Sequence, residues 1–397
     1  MLFGLCGAAA VFGLLAALWL EPLSGDLVRV GGYGEHEFGW NGVEEQFFPP
    51  LAEPGKPDRE YDVVVVGDSF SSRTTPDRQT RYGSFWTDFL ANETGLSVGV
   101  FDVADTPVEK YIAGPEFHAH PPRLVILEIA ERTLRARLAG PTNCPPLVGR
   151  AVEARLARVA VPLLAGSYRR PVAPRSIATA VGEMTDYLRK NVLRQVFHQD
   201  TTEALLLPLS RPDLFSSRRP GELLVFTDDR RKVDWSDDDW STIRCRLQGY
   251  QTQVTANGVS AFLFMLVPDK STAYAAFLPA AAWQINAAER LAEPAGLNMP
   301  RLDVVLRTAI AAGTRDVYLP NDSHWGTTGS RIAAETVLRY LQQGQPPAPT
   351  ENGNATASRW GRSTPRSRQT RRPAKIGSGP QPATRWRRQR RSSARRA

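Results

Sequence analysis

The sequence predicts an α/β fold: a parallel sheet covered by helices on both faces. Short apolar runs recur and end abruptly in polar residues, namely YDVVVVGDSF (61–70), LSVGVFDVA (96–104), RLVILEIAER (123–132), VSAFLFMLVPDK (259–270) and DVYLP (316–320). Each run is apolar throughout rather than alternating, which marks a strand buried on both faces. Stretches with helical spacing separate them, the order expected of a parallel sheet.

The elements follow along the chain. Residues 1–20, MLFGLCGAAAVFGLLAALWL, carry no charge. A helix of about 20 apolar residues is long enough to span a bilayer. A cleaved signal peptide is the rival reading, but the stretch has no basic start and no clear small-x-small cleavage site. The first strand runs into Gly67-Asp68-Ser69. SFWTDFLANETG (84–95) reads as a helix, with Phe85, Phe89 and Leu90 on one side and Gly95 as its stop. The strands in 96–104 and 123–132 come next. Residues 150–207 are rich in Ala, Leu and Arg and read as mostly helical, within a helical insertion over about 150–245. Residues 234–258 form a helix ending at Asn257-Gly258. The fourth strand, a helix over 301–313, a short fifth strand at 316–320 and a last helix over 330–343 complete the body. The expected domains are an anchor (1–20), one α/β domain (21–345) and a tail (346–397).

The net charge of +8 conceals an asymmetry. Residues 351–397 hold 14 Lys and Arg and one acid, Glu351, so the other 350 residues carry a net −5. The tail, rich in Arg, Ser and Pro and poor in aliphatics, cannot bury enough surface to fold and reads as disordered. Its charge would also suit an anionic surface, but no specific nucleic-acid partner is expected of the acidic body. The anchor's flank has Glu21 and Asp26 before Arg29, with no basic cluster to hold that side in the cytoplasm. The body is therefore expected outside it, in the periplasm behind an inner membrane. Beyond Cys6, Cys144 and Cys245 either pair there or stay as buried thiols. Five scattered His and three Cys give no ligand spacing, so neither metal nor organic cofactor is expected.

Ligands of such sheets bind at the carboxyl ends of the strands. The polar groups there are Asp68 and Ser69; Glu128, Glu131 and Arg132; Asp269 and Lys270; and Asp322 with His324. A strand-to-helix turn exposes the Ser69 hydroxyl, which needs a neighbouring base to attack a carbonyl. His324 supplies one, and Asp322, two residues earlier, fixes its tautomer. Alone, Gly-Asp-Ser is a common turn and Asp-Ser-His-Trp a capped loop. Both follow predicted strands, so a parallel sheet can join them across 255 positions.

Gly67-Asp68-Ser69 early and Asp322-x-His324 late resemble the SGNH (GDSL) hydrolase superfamily. Trp325 after the histidine, RLVILEIAERTL, LVPDKSTAY (266–274) and DVYLPNDSHWGTTGSRIAAE (316–335) are similar to the SGNH-like domain of the AlgX and AlgJ type of alginate O-acetyltransferase. LVRVGGYGEHEFGWN (27–41) resembles the entry segment of such proteins. The resemblance spans about 20–343 and leaves the tail out. In the alginate proteins the D-x-H-W element precedes the serine; here the serine comes first, as in ordinary SGNH hydrolases. The usual Gly-x-Asn-Asp oxyanion element is also not visible.

The resemblance implies a flavodoxin-like three-layer fold with a five-stranded sheet. It implies a periplasmic enzyme that acetylates hydroxyls of an exopolysaccharide beside a membrane-bound O-acyltransferase as acyl donor. Ser69, His324 and Asp322 would be catalytic. Asp68, Arg132, Lys270 and Trp325 are candidates for oxyanion or substrate contact, Arg132 and Lys270 equally readable as structural or surface charges. A carbohydrate esterase with the same triad is the first alternative, and a non-catalytic polysaccharide-binding subunit of a secretion complex the second.

Overall fold

A computed structural model describes residues 25–71, 82–140, 163–167, 177–198, 203–279, 285–292 and 296–343, with parts of 4–13. The helices used below are α1 (Asp26–Gly31), α2 (Trp86–Thr94), α3 (Val108–Ala113), α4 (Ile177–Val196), α5 (Asp237–Thr255), α6 (Lys270–Ala273), α7 (Leu302–Ala311) and α8 (Thr327–Gln343). The strands are β1 (Val43–Phe47), β2 (Ala52–Pro54), β3 (Val63–Gly67), β4 (Val98–Asp102), β5 (Leu124–Ala130), β6 (Leu163–Ser167), β7 (Ala204–Pro208), β8 (Glu222–Phe226) and β9 (Ala261–Val267).

Five strands form a parallel sheet in the order β2-β4-β3-β5-β9. The strand period of two divides its side chains between two cores. Val63, Val65, Leu124, Ile126, Leu263 and Met265 meet α2, α7 and α8 on one face. Val64, Val66, Val125, Leu127, Phe262 and Phe264 meet α3 and α5 on the other. Each such buried side chain contributes about 1.5–3 kcal/mol relative to exposure, which is why the all-apolar runs stay in the middle layer. Helix α2 ends where Gly95 takes a left-handed φ of 65°, as its sequence predicts.

Two elements differ from the sequence reading. The fifth strand is Ala52–Pro54 at the sheet edge, not residues 316–320. A three-residue edge strand containing proline has no apolar pattern to betray it. Residues 316–320 are buried, but the Leu319 and Pro320 carbonyls accept from Lys270 rather than from a neighbouring strand, and only Tyr318 bridges, to Trp325. The insertion is not simply helical. It contains α4 and the start of α5, but β6 pairs antiparallel with β1, and β7 with β8. Residues 150–162 lie outside the described set. Cys245 is buried on α5 and disulfide-bonded; Cys144 lies outside the described residues.

Among the described residues no helix is long and apolar enough to cross a membrane. Most of residues 1–24 fall outside that set, and so does the tail beyond 343.

Candidate active site

The carboxyl end of β3 forms the first half of the site. Asp68, Ser69 and Phe70 turn the chain, and the turn is fixed from below. The Asp68 carboxylate accepts the N–H groups of Phe70 (3.0 Å) and Ala130 (2.9 Å). Glu128 on β5 accepts from the Asp68 N–H (2.9 Å) and the Ser71 hydroxyl (2.7 Å), and Trp86 Nε1 donates to Ser71 Oγ (2.9 Å). A Cβ at Gly67 would lie 2.7 Å from Glu128 Oε2, so this approach requires glycine. Burial, with the Asp68 charge beside it, raises the Glu128 pKa well above the usual carboxyl range. Ser69 itself is half-buried.

The loop between residues 319 and 324, just before α8, forms the second half. The structure brings it onto Ser69: the Ser69 hydroxyl and His324 Nε2 are 2.7 Å apart. His324 Nδ1 lies 2.6 Å from Asp322 Oδ1. A carboxylate only accepts, so Nδ1 carries the proton and Nε2 is the free base facing the serine. Burial disfavours the imidazolium, but the Asp322 carboxylate, with Asp26 behind it, outweighs this and raises the His324 pKa.

Asp26 is a site residue that sequence reasoning missed. Its carboxylate lies 3.6 Å from His324 Nδ1. It accepts the Ser323 N–H (2.7 Å) and the Ser323 hydroxyl (2.5 Å), while its own N–H donates to Asp322 Oδ2 (3.1 Å). Burial, then the nearby Asp322 charge, raises its pKa. Gly25 permits this docking, since a Cβ there would stand 2.0 Å from the Asn321 carbonyl oxygen. The only local signal was that Asp26 immediately precedes the family-like entry segment 27–41.

The tentative contact residues separate. Lys270 is neither a surface charge nor a substrate contact. It is 1% exposed, and its Nζ donates to the carbonyls of Leu319 (2.7 Å), Pro320 (3.1 Å) and Asp322 (3.1 Å). Burial, partly offset by Asp26 and Asp322, pulls its pKa down to about 7. Trp325 is 2% exposed and packs on Phe70, with ring centroids 4.8 Å apart, so it is a wall behind the histidine. Asp68 likewise lies beneath the turn it shapes. Arg132 reaches closest to the surface. Its side chain is 14% exposed, pairs with Asp269 (3.3 Å), approaches Ser323 Oγ (3.5 Å) and lies over Phe226. Beneath it, buried Lys232 joins Glu131 (2.8 Å) and Asp269 (2.7 Å). Glu131 is thus structural.

Asp26, Asp322 and His324 bring three ligand-type atoms within 4.8 Å of one another. Their hydrogen bonds to one another and to Ser323 already occupy those atoms. A cavity of about 550 Å³ reaches this region only at Ser71, and its described lining contains none of Ser69, Asp322 and His324.

A parallel five-stranded sheet between two helical layers, with this constellation at its carboxyl edge, is an SGNH-like α/β domain. A family comparison makes the class more particular: residues 225–397 match the model of the SGNH hydrolase-like domain of the acetyltransferase AlgX. The match contains Asp322 and His324, begins beyond Ser69, and runs through the tail that the sequence reading had set apart. No curated protein and no solved structure matches the chain. A domain of this kind points to an acyl-group enzyme of the acetyltransferase type.

Proposed function

We propose that this protein is a membrane-anchored O-acetyltransferase that acylates hydroxyl groups of an extracytoplasmic polysaccharide. The observation that carries the reading is the chain of contacts Ser69 Oγ, His324 Nε2, His324 Nδ1, Asp322 Oδ1, at 2.7 and 2.6 Å. Ser69 Oγ attacks the acetyl carbonyl as its proton passes to Nε2. The imidazolium, stabilised by Asp322 and Asp26, returns that proton to the leaving group. An acetyl ester on Ser69 remains. An acceptor hydroxyl then gives its proton to Nε2 and takes the acetyl group, and Ser69 regains its hydrogen.

The oxyanion needs donors aimed at it. Among the described residues the Ser69 N–H makes no hydrogen bond, which leaves it free for that role. Residues 1–20 anchor the chain with the body on the periplasmic side, and a membrane-bound O-acyltransferase supplies the acetyl group.

The test is to trap the acetyl group and follow its destination. Full-length protein mixed with p-nitrophenyl acetate should gain one acetyl on the peptide containing Ser69. Added oligosaccharide should then take up the acetyl faster than water does. Release only to water would make the protein a carbohydrate esterase; no acetyl on Ser69 would remove the covalent mechanism altogether.

A further inference from the structure

Helix α4 wears its amphipathic faces inside out. Leu188, Val192 and Val196, spaced by four, are 39%, 47% and 64% exposed, and Phe197 just beyond is 60% exposed. Lys190 and Arg194 lie about 200° around the helix from Val192, on the face turned to the body. Lys190 Nζ donates to the Arg29 carbonyl (3.3 Å), Asn191 Nδ2 to that of Gly32 (2.9 Å), and the Arg194 guanidinium to that of Gly31. The guanidinium also sits 4.1 Å from the centre of the Tyr33 ring. A surface helix ordinarily buries the apolar stripe and hydrates the polar one. This one binds the body through its polar residues and leaves the aliphatic row outward.

The segment it grips identifies what covers that row. Residues 29–32 follow closely on the uncharged stretch 1–20. Residues 21–25 span at most about 18 Å even when fully extended. A helix held to residues 29–32 is therefore held near the point where the chain leaves the bilayer. Charge agrees with this. Residues 150–200 contain nine Lys and Arg against four Asp and Glu, a net +5 in a body whose first 350 residues total −5. An outward apolar row flanked by the Arg189–Asp186 pair (2.8 Å), in a segment of net positive sequence and close to the anchor, fits a helix lying in the headgroup layer of an anionic membrane.

We propose that α4 seats its Leu188-Val192-Val196 row in the anionic lipid surface next to the anchor and so fixes the orientation of the catalytic domain over the membrane. This rests on the reading of residues 1–20 as a bilayer anchor. The test places an environment-sensitive fluorophore on Val192→Cys, in a Cys6→Ser background, in the full-length chain at one copy per phosphatidylglycerol nanodisc. Val304→Cys is the matched control, since Val304 is 48% exposed on α7. The probe at 192 should shift to the blue and be quenched about twofold by lipid spin-labelled near the headgroup, while the probe at 304 does neither. A probe at 192 as wet as the one at 304 overturns the proposal. So does shielding that appears only with two copies per disc, and equal shielding in phosphatidylcholine overturns the charge argument. If the chain does not enter discs, the anchor reading fails by itself. The same probe with added phosphatidylglycerol vesicles then decides the helix: shielding upholds its seat on lipid, and none overturns it.

Discussion

The two halves of the site are held by opposite chemistry. The Ser69 turn rests on two carboxyl groups, a hydroxyl and an indole, none of them a cation, and its partners lie on the adjacent strand and the next helix. The His324 loop is suspended from buried charges: the Lys270 ammonium in three carbonyls, and the Asp26 carboxylate reaching back from nearly 300 positions away. A strand end orients a serine through local geometry. A loop carrying a base has no ladder to hold it and needs strong, long-range ties. Damage to the first half should thus remove chemistry without structure, and damage to the second should cost both.

The largest effect tests the first half. Ser69→Ala should lower p-nitrophenyl acetate turnover about 10⁴-fold or more, since the attacking atom is gone. Its thermal unfolding midpoint should match wild type. Near-normal turnover would shift attention to Ser71, which the structure shows engaged with Glu128, or to Ser72, outside the described residues.

Lys270→Met strikes the second half. Three buried carbonyls lose their donor, so unfolding free energy in urea should fall by about 3 kcal/mol with an unchanged slope. Turnover at 25 °C should fall too, because Asp322 and His324 lose their backbone register. A fully stable variant would mean that the loop is held by packing on Trp325 instead.

Asp26→Asn should have a smaller and more specific effect, about tenfold on kcat/KM. Asp26 helps raise the His324 pKa, and His324 acts as a base, so activity is lost as pH falls through that pKa. Removing the carboxylate lowers the pKa, and the acid limb of kcat/KM should move to lower pH. An acid limb that stays in place would show that Asp26 only braces Ser323.

Glu128→Gln should change least below pH 4.5, by under about 1 kcal/mol, because the carboxyl is protonated in both the folded and the unfolded chain there. Its folded pKa lies above the ordinary 4.5. The stability it contributes is fully present below pH 4.5 and is lost as pH rises through the folded pKa. The wild-type unfolding midpoint should therefore fall relative to the Gln variant as pH rises above 4.5. Parallel midpoints would place a charged Glu128 under the serine. Ending the chain at residue 345 should alter neither turnover nor midpoint; a large drop in either would make the tail part of the catalytic domain.

What was legible in the sequence divides along the same line. Gly-Asp-Ser and Asp-x-His stood out because each punctuates an apolar run, and four strands of the sheet were visible as continuous apolar stretches. Residues 316–320 passed for a strand because burial leaves the same pattern whether carbonyls meet a ladder or a lysine. Lys270 in PDKS and Lys232 in DDRRKVDW look like solvated turns, since no local feature reports a carbonyl or carboxylate brought from elsewhere in the chain. Asp26 was hidden for the same reason: its partners sit almost at the other end of the body.

That separation sets a timetable. Synthesis proceeds from the amino end, so Asp26 and the Ser69 hydroxyl exist long before residue 324. At about 5–20 residues per second, the 255 positions between serine and histidine take roughly 10–50 s to make. Throughout that interval Ser69 has no base beside it and is an ordinary alcohol. A half-made chain emerging beside a pool of acetyl donor therefore cannot spend it, and reactivity switches on only when the last twenty or so residues of the body arrive.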